Sequence, residues 1–389
     1  MAEARKADLV LEGGGVKGIG LVGALHELDR AGYEFPRVAG TSAGAVAGAL
    51  VAAGMPMDEL QKIMLEVDYR KFCDKSPLDR IPVVGKSLSM LVQRGIYEGD
   101  YLQEWLGRQL EKQGVKTFAD LQIDDPDATL AEDQRFSLVV MATDLTLGQL
   151  VRLPWDYRRI YGLDPRTQPV VDAVRASMSI PFFFEPFTLT NPKTGMDSTL
   201  VDGGVLSNFP IDAFDRTDGQ PPRWPTFGIK LLPTLPKDNT QLLPVLGQGF
   251  RKVMTFPRPW VLGIPQLPPI RLLTSLVATT IAGHDQTRLN LPWVDARTIR
   301  VDTTPAGIVE FDLDGRQLQR LYDNGRKAAK TFLRHWNWQD YLTRYRQPAA
   351  APAGPVPAGV PDQREHGHPR AGKVTPARNG RTRRAPPQT

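Results

Sequence analysis

Two strand-to-turn-to-helix passages in the first 56 residues constrain this chain more than anything else in it. Residues 7–20, ADLVLEGGGVKGIG, read as a buried strand, a glycine turn and the start of a helix. That helix continues through LVGALHELDRAG, with Gly32 placed to cap its C-terminus. A second strand follows in FPRVAGTSAGA, ending at Ser42, and a second helix in GAVAGALVAAGM, closed by Gly54 and Pro56. Strand, helix, strand, helix in such close succession requires parallel strands joined by crossover helices. The expected class is therefore α/β with a parallel sheet. RFSLVVMATDL, GQLVRLP, PTFGIKLLP and ARTIRVDTT supply later strands, and DGRQLQRLYDNGRKAAKTFLRHW a closing helix.

The composition supports a folded core. Of 389 residues, 41% are hydrophobic and 23% charged, the balance of a globular protein. One cysteine, Cys73, excludes an intramolecular disulfide. The N-terminus runs from charged residues into the first strand with no apolar signal core, and no run reaches the roughly 18 apolar residues of a membrane span. The expectation is a cytoplasmic protein or one bound peripherally to a membrane.

The formal charge of +5 is concentrated at one end. Residues 348–389 hold seven Lys or Arg against Asp362 and Glu365, so residues 1–347 sum to zero. This Pro/Gly/Ala-rich tail buries too little apolar surface to offset its ordering entropy and reads as disordered. A solvated tail is the preferred reading, with contact at an anionic membrane surface as the alternative; no specific nucleic-acid partner is expected. Residues 74–96 and 241–283 are apolar and proline-punctuated, and read as elaborations over one end of the sheet. The second interleaves cations such as Arg258 with rings such as Trp260. That suits an acyl pocket, lid or lipid-facing surface, and core helices are the competing reading.

The chemistry centres on Gly40-Thr41-Ser42-Ala43-Gly44, the G-x-S-x-G pattern of a nucleophilic serine on a tight strand-to-helix turn. Small neighbours, Gly40 and Gly44 among them, make so sharp a turn possible. In the first turn, Gly13, Gly14 and Gly15 let backbone N–H groups converge on a developing oxyanion, and Lys17 adds positive charge. Gly13-x-Gly15-x-x-Gly18 also fits a dinucleotide fingerprint, but the second strand ends in Gly-Thr-Ser rather than the acidic residue that would hold a ribose.

A serine nucleophile needs a base. Of five histidines, His26 and His335 lie in helices and His366 and His368 in the tail, which leaves His284 in IAGHDQT. The other candidate is Asp202 in STLVDGGVLSNFP, a carboxylate at a strand end with two glycines after it. Burial would raise its basicity.

Four stretches in order, EGGGVKGIG, AGTSAGA, ASMSIPFFFEP and VDGGVLSNFP, resemble the patatin-like phospholipases over about residues 8–335. The resemblance implies a three-layer α/β/α fold with a mostly parallel central sheet and one hydrolase domain over residues 1–347. It implies a Ser-Asp dyad without histidine, with Ser42 as nucleophile, Asp202 as base and Gly13, Gly14 and Gly15 as the oxyanion loop. The family often has arginine where this chain has Lys17. The implied substrate is a lipid ester, cleaved through an acyl-serine with no cofactor and no metal. A non-catalytic lipid-binding protein on the same fold is the alternative.

Overall fold

The computed structural model describes residues 5–72, 98–125, 130–181, 183–232, 280, 291–304 and 313–346. The segments 74–96 and 241–283 (Thr280 apart), His284 and the tail 348–389 lie outside the described residues.

Strand β1 (Arg5–Lys6) leads into β2 (Asp8–Leu11), the glycine turn and helix α1 (Ile19–Arg30). Next come β3 (Tyr33–Glu34), β4 (Val38–Thr41), α2 (Ala43–Ala52), α3 (Met57–Glu66) and α4 (Asp100–Lys112). Strands β5 (Leu138–Asp144) and β6 (Gln149–Leu153) precede α5 (Val170–Ser177), β7 (Phe187–Thr190) and β8 (Asp197–Asp202). The fold continues with β9 (Thr226–Leu232), β10 (Thr298–Asp302), α6 (Gly315–His335) and α7 (Trp338–Tyr345). The neighbours β10, β9, β2, β4 and β5 run parallel, and β6, β8 and β7 are added antiparallel. The architecture is thus α/β with a central, mostly parallel sheet. β1 and β3 form a separate parallel pair.

Burial explains the sequence patterns. β2 and β5 are buried at every residue, so they read as unbroken apolar runs rather than alternating ones. Helix α2 is buried from Ala43 to Val51, and its Ala/Gly composition lets its backbone lie close to the sheet. α6 opens with a capping box. The Asp314 carboxylate accepts from the Gln317 N–H, and the Gln317 side chain accepts from the Asp314 N–H, each at 2.8 Å. It buries one stripe through Leu318, Leu321, Tyr322, Gly325 and Ala329. α1 and α6 touch backbone to backbone: a Cβ on Gly23 would strike the Tyr322 carbonyl, and one on Gly325 the Gly20 carbonyl.

The sequence places the end of the second strand at Ser42, but β4 stops at Thr41 because Ser42 leaves the β region. Gly32 closes α1 as expected, at φ 80° with its N–H on the Asp29 carbonyl. No helix of the described residues is long and apolar enough to cross a membrane.

Candidate active site

The register of β5 brings Ser42 and Asp202 together. Val140 and Met141 pair with both β4 and β6, so those two strands lie on opposite edges of β5. Ala142 to Asp144 pair with both β6 and β8, so β8 shares the edge with β4. Thr41 pairs with Met141 and Asp202 with Ala142. Two strands of opposite direction thus end head to head along one edge, and the residues at their ends become neighbours despite 160 positions of separation.

Ser42 is the one non-glycine with positive φ among the described residues, at φ 54° and ψ −125°. An L-residue holds such a conformation only where its surroundings impose it. The pattern around it follows from clashes. A Cβ on Gly40 would strike the Gly44 carbonyl, and one on Gly44 the Leu11 carbonyl. The Ser42 N–H donates to the Ser177 hydroxyl at 2.8 Å, which pins the turn to the end of α5. The Ser42 hydroxyl is 3.5 Å from Met178 Sδ and faces the Asp202 carboxyl.

Asp202 is 3% exposed. Burial pushes its pKa up to about 6, while the Ser42 hydroxyl and the Gly204 N–H pull the other way. The Gly204 N–H donates to Asp202 Oδ1 at 2.7 Å, and the Asp202 N–H donates to the Ser179 carbonyl at 2.9 Å. Asp202 is held through its carboxylate by Gly204 and through its backbone N–H by Ser179, with no cation among the causes that set its pKa.

The glycine turn lies directly against the serine. A Cβ on Gly13 would come within 3.0 Å of Ser42 Cβ and would also overlap Asn208 Oδ1. The Gly13 N–H is already engaged by the Asn208 carbonyl at 3.2 Å, and Asn208 Nδ2 donates to the Gly13 carbonyl at 3.1 Å. Asn208 therefore ties the loop after β8 to the loop after β2. The N–H groups of Gly14 and Gly15 have no acceptor among the described residues. Lys17 is buried in the short helical turn Gly15–Gly18. Glu12, also buried, pairs with Lys230 and accepts from the Leu231 N–H, fixing the turn to β9.

The residues expected from sequence at this site, Gly13, Gly14, Gly15, Lys17, Gly40, Ser42, Gly44 and Asp202, lie at or just past the ends of β2, β4 and β8. Ser177, Met178 and Asn208 were not singled out. They sit inside the quoted stretches ASMSIPFFFEP and VDGGVLSNFP, and their contacts span long sequence separations that no local pattern reveals. Neither described histidine bonds to Ser42 or Asp202. His26 Nδ1 meets the Tyr322 hydroxyl at 2.6 Å between α1 and α6, and His335 bonds the Thr331 carbonyl. Among the described residues no group of three or more His, Cys, Asp or Glu is placed to hold a metal ion.

The family described as patatin-like phospholipase matches residues 9–215, a span that includes Ser42, Asp202, Ser177, Asn208 and the glycine turn. The uncharacterized protein YqhO of Bacillus subtilis is 42% identical over 338 residues, 85% of this chain and 99% of its own length. An uncharacterized NTE family protein of Mycobacterium tuberculosis, MT2641, is 28% identical over 85% of this chain but only 46% of its own length. Neuropathy target esterase sws of Drosophila melanogaster is 28% identical over 52% of this chain and 12% of its length. Among solved structures, VipD from Legionella pneumophila aligns with a TM-score of 0.46 at 18% identity, covering 85% of this chain and 67% of VipD.

Proposed function

The chain belongs to the patatin-like phospholipase family, and from that premise we propose that it is a serine lipid acyl hydrolase working through a Ser42–Asp202 dyad. The observation that carries this reading is the pairing of two unusual residues. A serine held at positive φ faces a buried carboxyl whose pKa is raised to about 6. A carboxylate of ordinary pKa is too weak a base to draw a proton from a hydroxyl, and raising its pKa toward neutrality narrows that gap.

Ser42 Oγ attacks the ester carbonyl carbon as its proton passes to Asp202. The carbonyl π electrons move onto oxygen, and the negative charge collects at the glycine turn. Gly14 and Gly15 are the donors best suited to it, because their N–H groups have no other acceptor among the described residues. Gly13 serves by being small, so that the turn can approach Ser42. Lys17 adds positive charge from within the same turn. The positive end of α2 begins at the serine and favours the same charge. The intermediate collapses, the alcohol leaves with the proton from Asp202, and water activated by the same carboxylate releases the acid.

A fluorophosphonate probe tests the reading on the intact protein. It should label wild type and fail on Ser42→Ala, while the variant keeps its circular dichroism. Equal labelling of the two would discard Ser42 as nucleophile.

A further inference from the structure

Four large hydrophobic side chains are exposed among the described residues: Leu145 at 53%, Leu147 at 40%, Met196 at 41% and Trp293 at 39%. Three of the four sit on two turns, and hydrogen bonds tie the first turn to β8 three residues past Met196. The turn between β5 and β6 carries Leu145 and Leu147, and the turn between β7 and β8 carries Met196. The Leu145 N–H donates to the Thr199 carbonyl, and the Thr199 N–H to the Thr146 hydroxyl, both at 2.9 Å.

Hydrogen bonds brace both turns. Asp144, fully buried, accepts from the Leu147 N–H at 2.9 Å and from the Tyr161 hydroxyl at 2.8 Å. Asn191 closes the other turn by accepting from the N–H groups of Lys193 and Thr194, and its side chain reaches the Ile160 carbonyl. The two turns thus rest on one support, the helical turn Tyr157–Tyr161. Turn tips are normally polar. Here hydrogen-bonded turns hold three apolar side chains in water.

Their position relates them to the candidate site. β4 and β5 are parallel, and β5 runs on past the level of Ser42 and Asp202 before it turns. Leu145 lies three residues beyond Ala142 and Met196 six residues before Asp202. At a strand rise of ~3.3 Å per residue, the tips stand about 10–20 Å beyond the dyad, on the same end of the sheet.

We propose that these paired turns form a lipid-docking platform. Leu145, Leu147 and Met196 enter the apolar zone beneath the headgroups of a lipid surface and hold the Ser42 end of the sheet against it. The attraction is apolar rather than ionic, because the exposed charges on the second turn and at the start of β8, Lys193 and Asp197, are opposite in sign. A second copy of the chain fits less well. Three side chains on convex tips offer far less area than the ~1,000 Å² that a stable protein interface buries. The purpose of the platform rests on the hydrolase reading, but the binding measurement does not.

The experiment is co-sedimentation of the full chain with phosphatidylcholine vesicles, comparing wild type with Leu145→Ser/Leu147→Ser/Met196→Ser. Wild type should bind, and the triple variant should bind at least tenfold more weakly while hydrolysing a short soluble ester at the wild-type rate. A folded triple variant that binds vesicles as wild type does, or a wild type that does not bind them, overturns the proposal. A wild-type dimer that the substitutions convert to monomer, seen by light scattering, overturns it in favour of self-association. A second measurement needs no loss of apolar surface. Leu147→Cys in a Cys73→Ser background, labelled with a polarity-sensitive fluorophore, should shift to the blue on vesicles; an unchanged spectrum counts against insertion. Absence of ester hydrolysis in a protein that still binds vesicles would reject the hydrolase reading and leave the platform standing.

Discussion

The backbone N–H of Ser42 donates to the hydroxyl of Ser177 at 2.8 Å, so the strained turn is held by a side chain 135 residues away. Both groups are buried. The bond gives the only polar partner that the Ser42 N–H has among the described residues. Removing its acceptor leaves a donor dry and the turn free to relax.

Ser177→Ala should therefore cost about 1–3 kcal/mol in stability, the range for an orphaned buried donor. Hydrolysis should fall mainly in kcat, since the substrate-facing surface is unchanged. Urea unfolding and steady-state kinetics on a p-nitrophenyl ester check both halves. A variant with normal kcat would mean that the turn holds its shape without this bond.

Ser42→Ala and Asp202→Asn should each reduce ester hydrolysis by on the order of 10⁴-fold, the usual loss for one member of a catalytic unit. Full activity of Asp202→Asn together with an inactive His284→Ala would replace the dyad with a triad. Ser42→Gly adds a test of strain: glycine adopts φ 54° at no steric cost, so it should be inactive yet about 1 kcal/mol more stable than Ser42→Ala.

Gly325→Ala should destabilise the protein by about 1–3 kcal/mol, the cost of forcing a methyl group into a packed interior. The methyl group would meet the Gly20 carbonyl of α1, which is backbone and cannot swing aside. Thermal melting of the purified variant measures it. An unchanged melting temperature would mean that α1 and α6 can separate freely.

Local pattern carried much of this site. The glycine turn, the small residues around Ser42 and the strand end at Asp202 are written in consecutive residues, because each solves a clash with its own near neighbours or with one adjacent strand. The residues that join these pieces were not legible. Ser177 and Asn208 act across separations of 135 and 195 residues, and nothing in their immediate sequence distinguishes them from ordinary polar residues. The same holds for β8, whose shared edge with β4 appears only once β6 has taken the other side of β5. Helices α3 and α4 do not stand out in the sequence, because charged residues interrupt their apolar faces. Leu145 reads only as a strand end and Leu147 falls between two quoted strands, since exposure is a property of the folded surface.

The pH dependence of Asp202 links the reaction to stability, with opposite signs. As the proposed base it must be ionised, so kcat/KM should rise with pH through about 6 and level off above it. For folding, the carboxyl is raised from 3.8 when unfolded to about 6 when buried, so between those values the native state holds a proton that the unfolded state has lost. Stability from this group is present below the unfolded value and is lost as pH rises through the folded one. The full loss is about 2–3 kcal/mol, from ~1.4 kcal/mol per pKa unit. Asp202→Asn, which accepts the Gly204 N–H but carries no charge, removes that loss. It should be more stable than wild type by about 2 kcal/mol at pH 8 and nearly equal to it at pH 4. Melting temperatures of both proteins across that range decide the matter. A constant difference between the two proteins at every pH would mean that Asp202 does not titrate in this window, and the basicity on which the dyad rests would be gone with it.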